Sequence, residues 1–176
     1  MNERPPASIA LEELGIPHRV FRHPGLVASF EQAASERGQR PEQIVRSILF
    51  QVRAGEFVMV LMAGQEQVDW RSPRKLVGRS RVRMATEEEV LGVTGYRIGT
   101  VSPFGMRNQA PPESDRHLHP VQVKVKILID ASVLKEEEIS IGSGVHGTAI
   151  LMKSVDLRKA LADSQVVALT EEIHPS

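Results

Sequence analysis

The sequence contains no cysteine, which excludes disulfides, cysteine-ligated zinc, iron–sulfur clusters and a thiol nucleophile. It has no charge excess either: 22 Lys and Arg stand against 22 Asp and Glu. A protein that coats nucleic acid over its whole surface is normally basic, so such a partner must be met through a local patch. Long apolar runs are also missing. The most apolar stretch, Phe57–Ala63, has seven residues against the roughly 20 of a membrane-spanning helix. The N-terminal MNERPPASIALEELG carries acids where a secretory signal is apolar. No membrane partner is implied, and cytoplasmic residence is the expectation. There is no Walker loop, dinucleotide fingerprint, GxSxG elbow or HExxH helix. His117 and His119 sit two apart in a polar tract without an acid or cysteine at ligand spacing. Neither a metal nor another cofactor is implied.

What is present reads as one domain, residues 1–176, with ordinary globular proportions of 41% hydrophobic and 25% charged residues. Residues 7–14 predict a short helix with Ile9, Leu11 and Leu14 on its apolar face, stopped by Gly15. Residues 18–22 predict a strand. Ser29, with Gln32 three positions on, predicts a capped helix that Gly38 ends. The runs 44–52 and 57–63 predict a hairpin across Arg53-Ala-Gly-Glu56, and the second run reads as a central strand buried on both faces. A short helix follows Ser72-Pro73, a strand is expected at 81–84, and Thr86 caps a helix that begins with three acids. Residues 95–105 are an ordered Gly/Pro loop and 107–120 a polar insertion. Further strands are expected at 121–129, 139–141, 148–152 and 166–169, with Ser154 or Asp156 capping a helix through Leu161. Hairpins mixed with single helices indicate an α+β fold.

Three features rise above this background. In Gly95-Tyr-Arg-Ile-Gly-Thr-Val-Ser-Pro-Phe-Gly105, Gly99 permits an unusual backbone conformation and Pro103 restricts freedom. The amides of Thr100, Val101 and Ser102 can then converge on one concavity and stabilise an oxyanion, an effect of about 3 kcal/mol per donor. Arg46 is a cation in an apolar strand, either exposed or gripping an anion. Ile48 and Phe50 share its face by period-two counting and want cover, which favours the anion. Finally, Arg71, Arg74, Lys75, Arg79, Arg81 and Arg83 form a basic stretch without an acid. A solvated helix face is the ordinary explanation of such a run. In a neutral chain it is also the best candidate for contact with a nucleic-acid backbone. Glu87–Glu89 and Glu136–Glu138 read as surface.

Taken in order, these motifs form a recognisable series. Glu31-Gln-Ala-Ala34 precedes Val45-Arg-Ser-Ile-Leu-Phe50, then Val68-Asp69, Lys75-Leu76, Thr94-Gly-Tyr-x-x-Gly-x-x-Ser-Pro-Phe-Gly105 and Ile139-Ser-Ile-Gly-Ser-Gly-x-His-Gly147. From about residue 15 to 161 this resembles the YbaK/prolyl-tRNA-synthetase-associated editing domain family, most specifically in the Gly99–Pro103 loop. The resemblance implies a mixed, barrel-like sheet surrounded by helices, and a trans-editing deacylase that acts on the acceptor end of a mischarged tRNA, of the proline type. In such a mechanism no protein nucleophile is needed: water or a substrate group attacks, loop amides hold the oxyanion, and a Lys grips the terminal phosphate. It implies Gly99 and Pro103 as the loop, Ser29 as a substrate contact, and Gly144 with His146 as a second pocket wall. Arg46 departs from the pattern by standing where the family usually has Lys, and Arg is not a neutral replacement. The 107–120 insertion is a second departure. A catalytically weak module that binds tRNA or a synthetase is therefore the alternative function, and an unrelated ligand in the same pocket a third.

Overall fold

The computed structural model describes residues 3–67, 78, 81–107 and 123–169. Its first half holds α1 (Pro6–Glu13), β1 (Arg19–Arg22), α2 (Phe30–Glu36), β2 (Val45–Arg53) and β3 (Glu56–Ala63). Then come β4 (Arg83–Met84), α3 (Glu87–Thr94), β5 (Lys124–Asp130), β6 (Glu138–Gly142), β7 (Thr148–Lys153), α4 (Ser154–Ala160) and β8 (Gln165–Val167).

The central-strand reading of the apolar run is correct. β3 lies in the middle of a five-stranded sheet of order β4-β2-β3-β5-β8. Period two sends Phe57, Met59, Leu61 and Ala63 to one face and Val58, Val60 and Met62 to the other, and each face meets its own buried cluster. At about 1.5–3 kcal/mol per fully buried large side chain, this strand is the densest source of hydrophobic stabilisation in the fold. β2 and β3 form the expected antiparallel hairpin, with Arg53 opposite Glu56 and Gly55 at φ 76° in the turn. A three-stranded antiparallel sheet, β1-β7-β6, covers the main core from the other side through Ile139, Ile141, Ile150 and Met152.

The mixed α+β architecture is as expected; the barrel-like closure is not. The two sheets stay open and are linked by one parallel bridge, Ile44 to Ser140. The outer strands of the larger sheet are too short to close it: β4 has two residues and β8 three. β4 pairs, among the described residues, only with Phe50 and Gln51. Among the described residues, no strand covers that edge of β2 between Val45 and Ile48.

The helices also correct two local expectations. α1 buries Ala7, Ser8 and Leu11, while Ile9 and Leu14 face solvent; the small Ala7 lets the helix backbone reach Ser143 O at 3.2 Å. Neither Ser154 nor Asp156 caps α4, because the Ser154 hydroxyl donates to Glu136 O at 2.5 Å and Lys153 holds the cap position. Ser29 does cap α2, accepting from Gln32 N at 3.0 Å, although Gln32 returns its carbonyl to Ala28 N instead of to Ser29. The helix expected after Pro73 and the 107–120 insertion, apart from Arg107, lie outside the described residues. Among those described, no helix is long and apolar enough to cross a membrane.

Candidate functional site

α3 stops because Gly95 adopts φ 77°, and the chain then enters the glycine loop. Tyr96 organises this loop. Its hydroxyl donates to Phe104 O at 2.6 Å, and its ring is buried beneath the loop. Removing the phenol from water pushes its pKa up to about 12, against a smaller opposing influence of Arg107. Thr100 closes a turn: both its amide, at 3.0 Å, and its hydroxyl, at 2.8 Å, donate to Arg97 O. The Thr100 amide is thus not available to an oxyanion. Among the described residues, the amides of Val101 and Ser102 donate to no acceptor.

The β6–β7 turn clamps this loop from behind. Gly144 N donates to Thr100 O at 2.9 Å. Gly144 adopts φ +91°, and a Cβ there would lie 2.6 Å from the Tyr96 ring. A Cβ on Gly142 would fall 2.0 Å from Val101 O, so only glycine allows the two backbones to approach this closely.

In front of the loop lies a cleft of about 360 Å³. One wall is the face of α2 carrying Phe30, Ala33 and Arg37. Opposite stand Val45, Arg46 and Ser47 of β2, and Gly99, Val101, Ile141, Gly142 and Thr148 complete the lining. A second, more apolar recess of about 270 Å³ shares Arg46, Ser47, Gly99 and Val101 and continues to Met84, Val90 and Ile98. Arg46 and Gly99 therefore do lie on one cleft. Thr100, Ser102, Pro103, Gly144 and the exposed His146 stand outside its lining, and Ser29 is at the start of the helix whose next residue, Phe30, enters it.

Arg46 is half-buried. Its Nε donates to Gly64 O at 2.6 Å and its Nη2 to Glu66 O, both neutral carbonyls. Burial lowers its pKa from the usual guanidinium value. No carboxylate in the described residues pairs with it, so its charge is oriented but not neutralised. Ser47 beside it keeps a buried hydroxyl without a hydrogen-bond partner among the described residues. Arg37 is a second cation on the lining; Nε donates to His23 Nε2 at 3.1 Å and Nη1 to Ser140 Oγ at 2.9 Å. Sequence reasoning missed Arg37 and Ser47. The usable signal was the spacing 30, 33, 37, which places three residues on one helix face.

The basic stretch is only partly described: Arg71, Arg74, Lys75 and Arg79 lie outside the described residues. Arg81 is exposed. Arg83 has a structural task, donating to both Glu89 oxygens at 2.8 and 2.6 Å and to Gln51. Glu89 is accordingly not plain surface. It is buried, completes a capping box with Thr86, and is held below the usual carboxylate range chiefly by Arg83.

Comparison with known proteins gives the family and the fold. A family model described as an aminoacyl-tRNA editing domain matches residues 24–160. The uncharacterised protein YwhH of Bacillus subtilis is 34% identical over 79 residues, 45% of this chain and 50% of that protein. A proline–tRNA ligase of Kosmotoga olearia is 32% identical over 96 residues, 54% of this chain but 16% of the ligase. The chain thus spans half or less of these relatives. A crystal structure described as a candidate trans-editing enzyme for prolyl-tRNA synthetase superposes with TM-score 0.77 at 27% identity, over 95% of this chain and 96% of that one.

Proposed function

The chain belongs to the aminoacyl-tRNA editing domain family, and from that premise we propose that it is a trans-editing deacylase hydrolysing the ester of a mischarged, proline-type tRNA. One observation carries the reading. The Gly99–Val101 backbone and Arg46 meet on a cleft whose lining, among the described residues, holds no histidine, carboxylate or thiol. Such a site stabilises negative charge and offers no base to activate a side-chain nucleophile, so the attacking group is water or a hydroxyl of the substrate. The Val101 amide, on the lining, holds the carbonyl oxygen as it becomes an oxyanion. Arg46 takes the phosphate of the terminal nucleotide with its remaining N–H groups. The apolar recess beyond Arg46 receives the adenosine, and the α2 side of the cleft receives the amino acid. Arg74, Lys75, Arg79 and Arg81 meet the tRNA body, while Arg83 serves α3.

Support for a trans-acting, proline-directed enzyme comes from the nearly end-to-end likeness to the candidate trans-editing enzyme and from the ligase relatives. The attachment of Arg46 to two carbonyls favours one second reading, a module that binds the acceptor end without cleaving it. A panel of mischarged tRNAs, including alanyl- and cysteinyl-tRNA with a proline anticodon, separates the two. Accelerated ester loss is expected; binding without acceleration on any member would overturn the enzyme reading.

A further inference from the structure

Arg37 takes no part in the proposed chemistry, yet it is one of the most firmly held side chains of the cleft. It closes α2 on the helix face that also presents Phe30 and Ala33, at i, i+3 and i+7 spacing. Because a guanidinium only donates, His23 Nε2 must be the bare, accepting nitrogen of the ring. The ring proton then sits on Nδ1 and is donated to Glu36. Glu36 also accepts from Gln32 Nε2 at 2.9 Å, and the imidazole stands between this carboxylate and the Arg37 head. Phe21 packs edge-on against His23, ring centres 5.0 Å apart. The guanidinium is therefore fixed at two nitrogens, and its other N–H groups find no acceptor among the described residues. Burial lowers its pKa, against a smaller raising influence of the Glu36 carboxylate.

The charge on the cleft is one-sided. Among the described residues, Arg37 and Arg46 are the only ionisable side chains of its lining. An aminoacyl ester brings a third positive charge, because an α-amino group with a pKa of about 8 is largely protonated at neutral pH. With Arg46 on the terminal phosphate, Arg37 and this ammonium remain as two cations that a small apolar amino acid leaves without an anion on the lining. A side chain that ends in a carboxylate resolves the conflict: its methylene stem lies on Phe30, Ala33 and Ile141, and its oxygens meet the free edge of Arg37.

Resting on the deacylase reading, we propose that Arg37 is a specificity-determining residue and that the cleft removes acidic amino acids, aspartyl or glutamyl, from tRNA. The test compares hydrolysis of aspartyl, asparaginyl, alanyl and lysyl esters on one tRNA transcript. Asparagine is the neutral isostere, so a charge-assisted pair predicts an aspartyl rate about 10- to 100-fold above the asparaginyl one. The lysyl ester should be the slowest. Arg37→Gln should bring the aspartyl-to-asparaginyl ratio close to one, and Arg37→Lys should leave it intermediate. Wild-type protein that treats the two esters equally, or prefers alanyl, overturns the proposal without any variant. An Arg37→Gln enzyme slowed equally on all four esters also overturns it, by placing Arg37 on a phosphate or in the fold. Hydrolysis of none of the esters would instead remove the deacylase reading itself, and this inference with it.

Discussion

Gly142→Ala should damage the loop behind the cleft, because its added Cβ is driven into that loop's backbone. The added Cβ falls 2.0 Å from Val101 O, 2.8 Å from Val101 C and 2.9 Å from Thr100 O. Carbon and oxygen need roughly 3.3 Å even in a close C–H···O contact, so the two backbones must separate by more than 1 Å. Neither partner is a flexible side chain that can swing aside. Over-packing of this kind costs about 1–3 kcal/mol, which at 2–4 °C per kcal/mol lowers Tm by about 2–12 °C. The loop being pushed is the one whose Val101 amide is proposed to bind the oxyanion. Donors must stand about 2.7–3.1 Å from that oxygen, and a 1 Å displacement costs on the order of 100-fold in rate. Gly147→Ala is the control, since its φ of +72° imposes backbone strain but its Cβ meets nothing within 4 Å. It should lose about 1–2 kcal/mol of stability through its left-handed backbone and keep its turnover. Thermal melts and single-turnover deacylation on both variants decide the matter. A Gly142→Ala protein with wild-type Tm and rate would refute the idea that this contact sets the loop.

Arg46→Ala should raise KM by about 10- to 100-fold if its free N–H groups hold a phosphate, and Arg46→Lys should restore most of it; unchanged kinetics in the alanine variant would make the residue structural. The Glu89 carboxyl is held below its ordinary value by Arg83, so its stabilisation is complete above the unfolded carboxylate value near 4.5 and is lost as pH falls through the lower folded value. Glu89→Gln should therefore flatten the acid side of the stability curve, measured by urea melts between pH 3 and 6. Tyr96 has the opposite sign. With its pKa raised to about 12, its contribution is complete below pH 10 and disappears as pH rises through 12, a difference of at most about 3 kcal/mol. As it is the chain's single tyrosine, tyrosinate absorbance should titrate near 12 in the folded protein and near 10 in urea; one midpoint in both states would contradict the burial.

Much of the fold was readable where local chemistry decides it. The seven-residue apolar run had to be covered on both faces, and it is. Ser29 and Thr86 cap the helices they precede because an N-cap hydroxyl needs only the amide three residues on. The misreadings share a different cause. Ile9 and Leu14 looked like the buried face of α1, but the small Ala7 permits a contact with Ser143 that turns the helix the other way. Arg83 and Glu89 read as opposite surface charges because their pairing depends on where β4 meets α3. Open sheets could not be told from a closed barrel, since closure depends on the length of edge strands that pair with distant residues. Arg37 is the clearest case. A cation at the end of a helix is ordinary, and nothing local reveals that His23 and Ser140, 14 and 103 positions away, hold it where it lines the cleft.

The orphaned Ser47 hydroxyl bears on the proposed chemistry because it is the natural rival to an attacking water. It is buried, lines both recesses and has no hydrogen-bond partner among the described residues. A serine nucleophile needs a base within about 3.2 Å to take its proton. Among the described residues the lining offers Arg37, Arg46 and Thr148, and none of these can serve: the guanidiniums carry no acceptor, and the neutral Thr148 hydroxyl is too weak a base. Two nearby cations do lower the energy of an alkoxide, but they lower that of the ester's own oxyanion as well, and the loop amides add to the second effect alone. The same electrostatics that make Ser47 a poor nucleophile make it a good donor. Once the side chain turns toward the cleft, its hydroxyl can give one hydrogen bond to the ester, relieving its own unpaired state when substrate binds. Ser47→Ala should then raise KM modestly and leave no trapped acyl-enzyme to be lost, whereas a nucleophilic serine would show a burst that the variant abolishes.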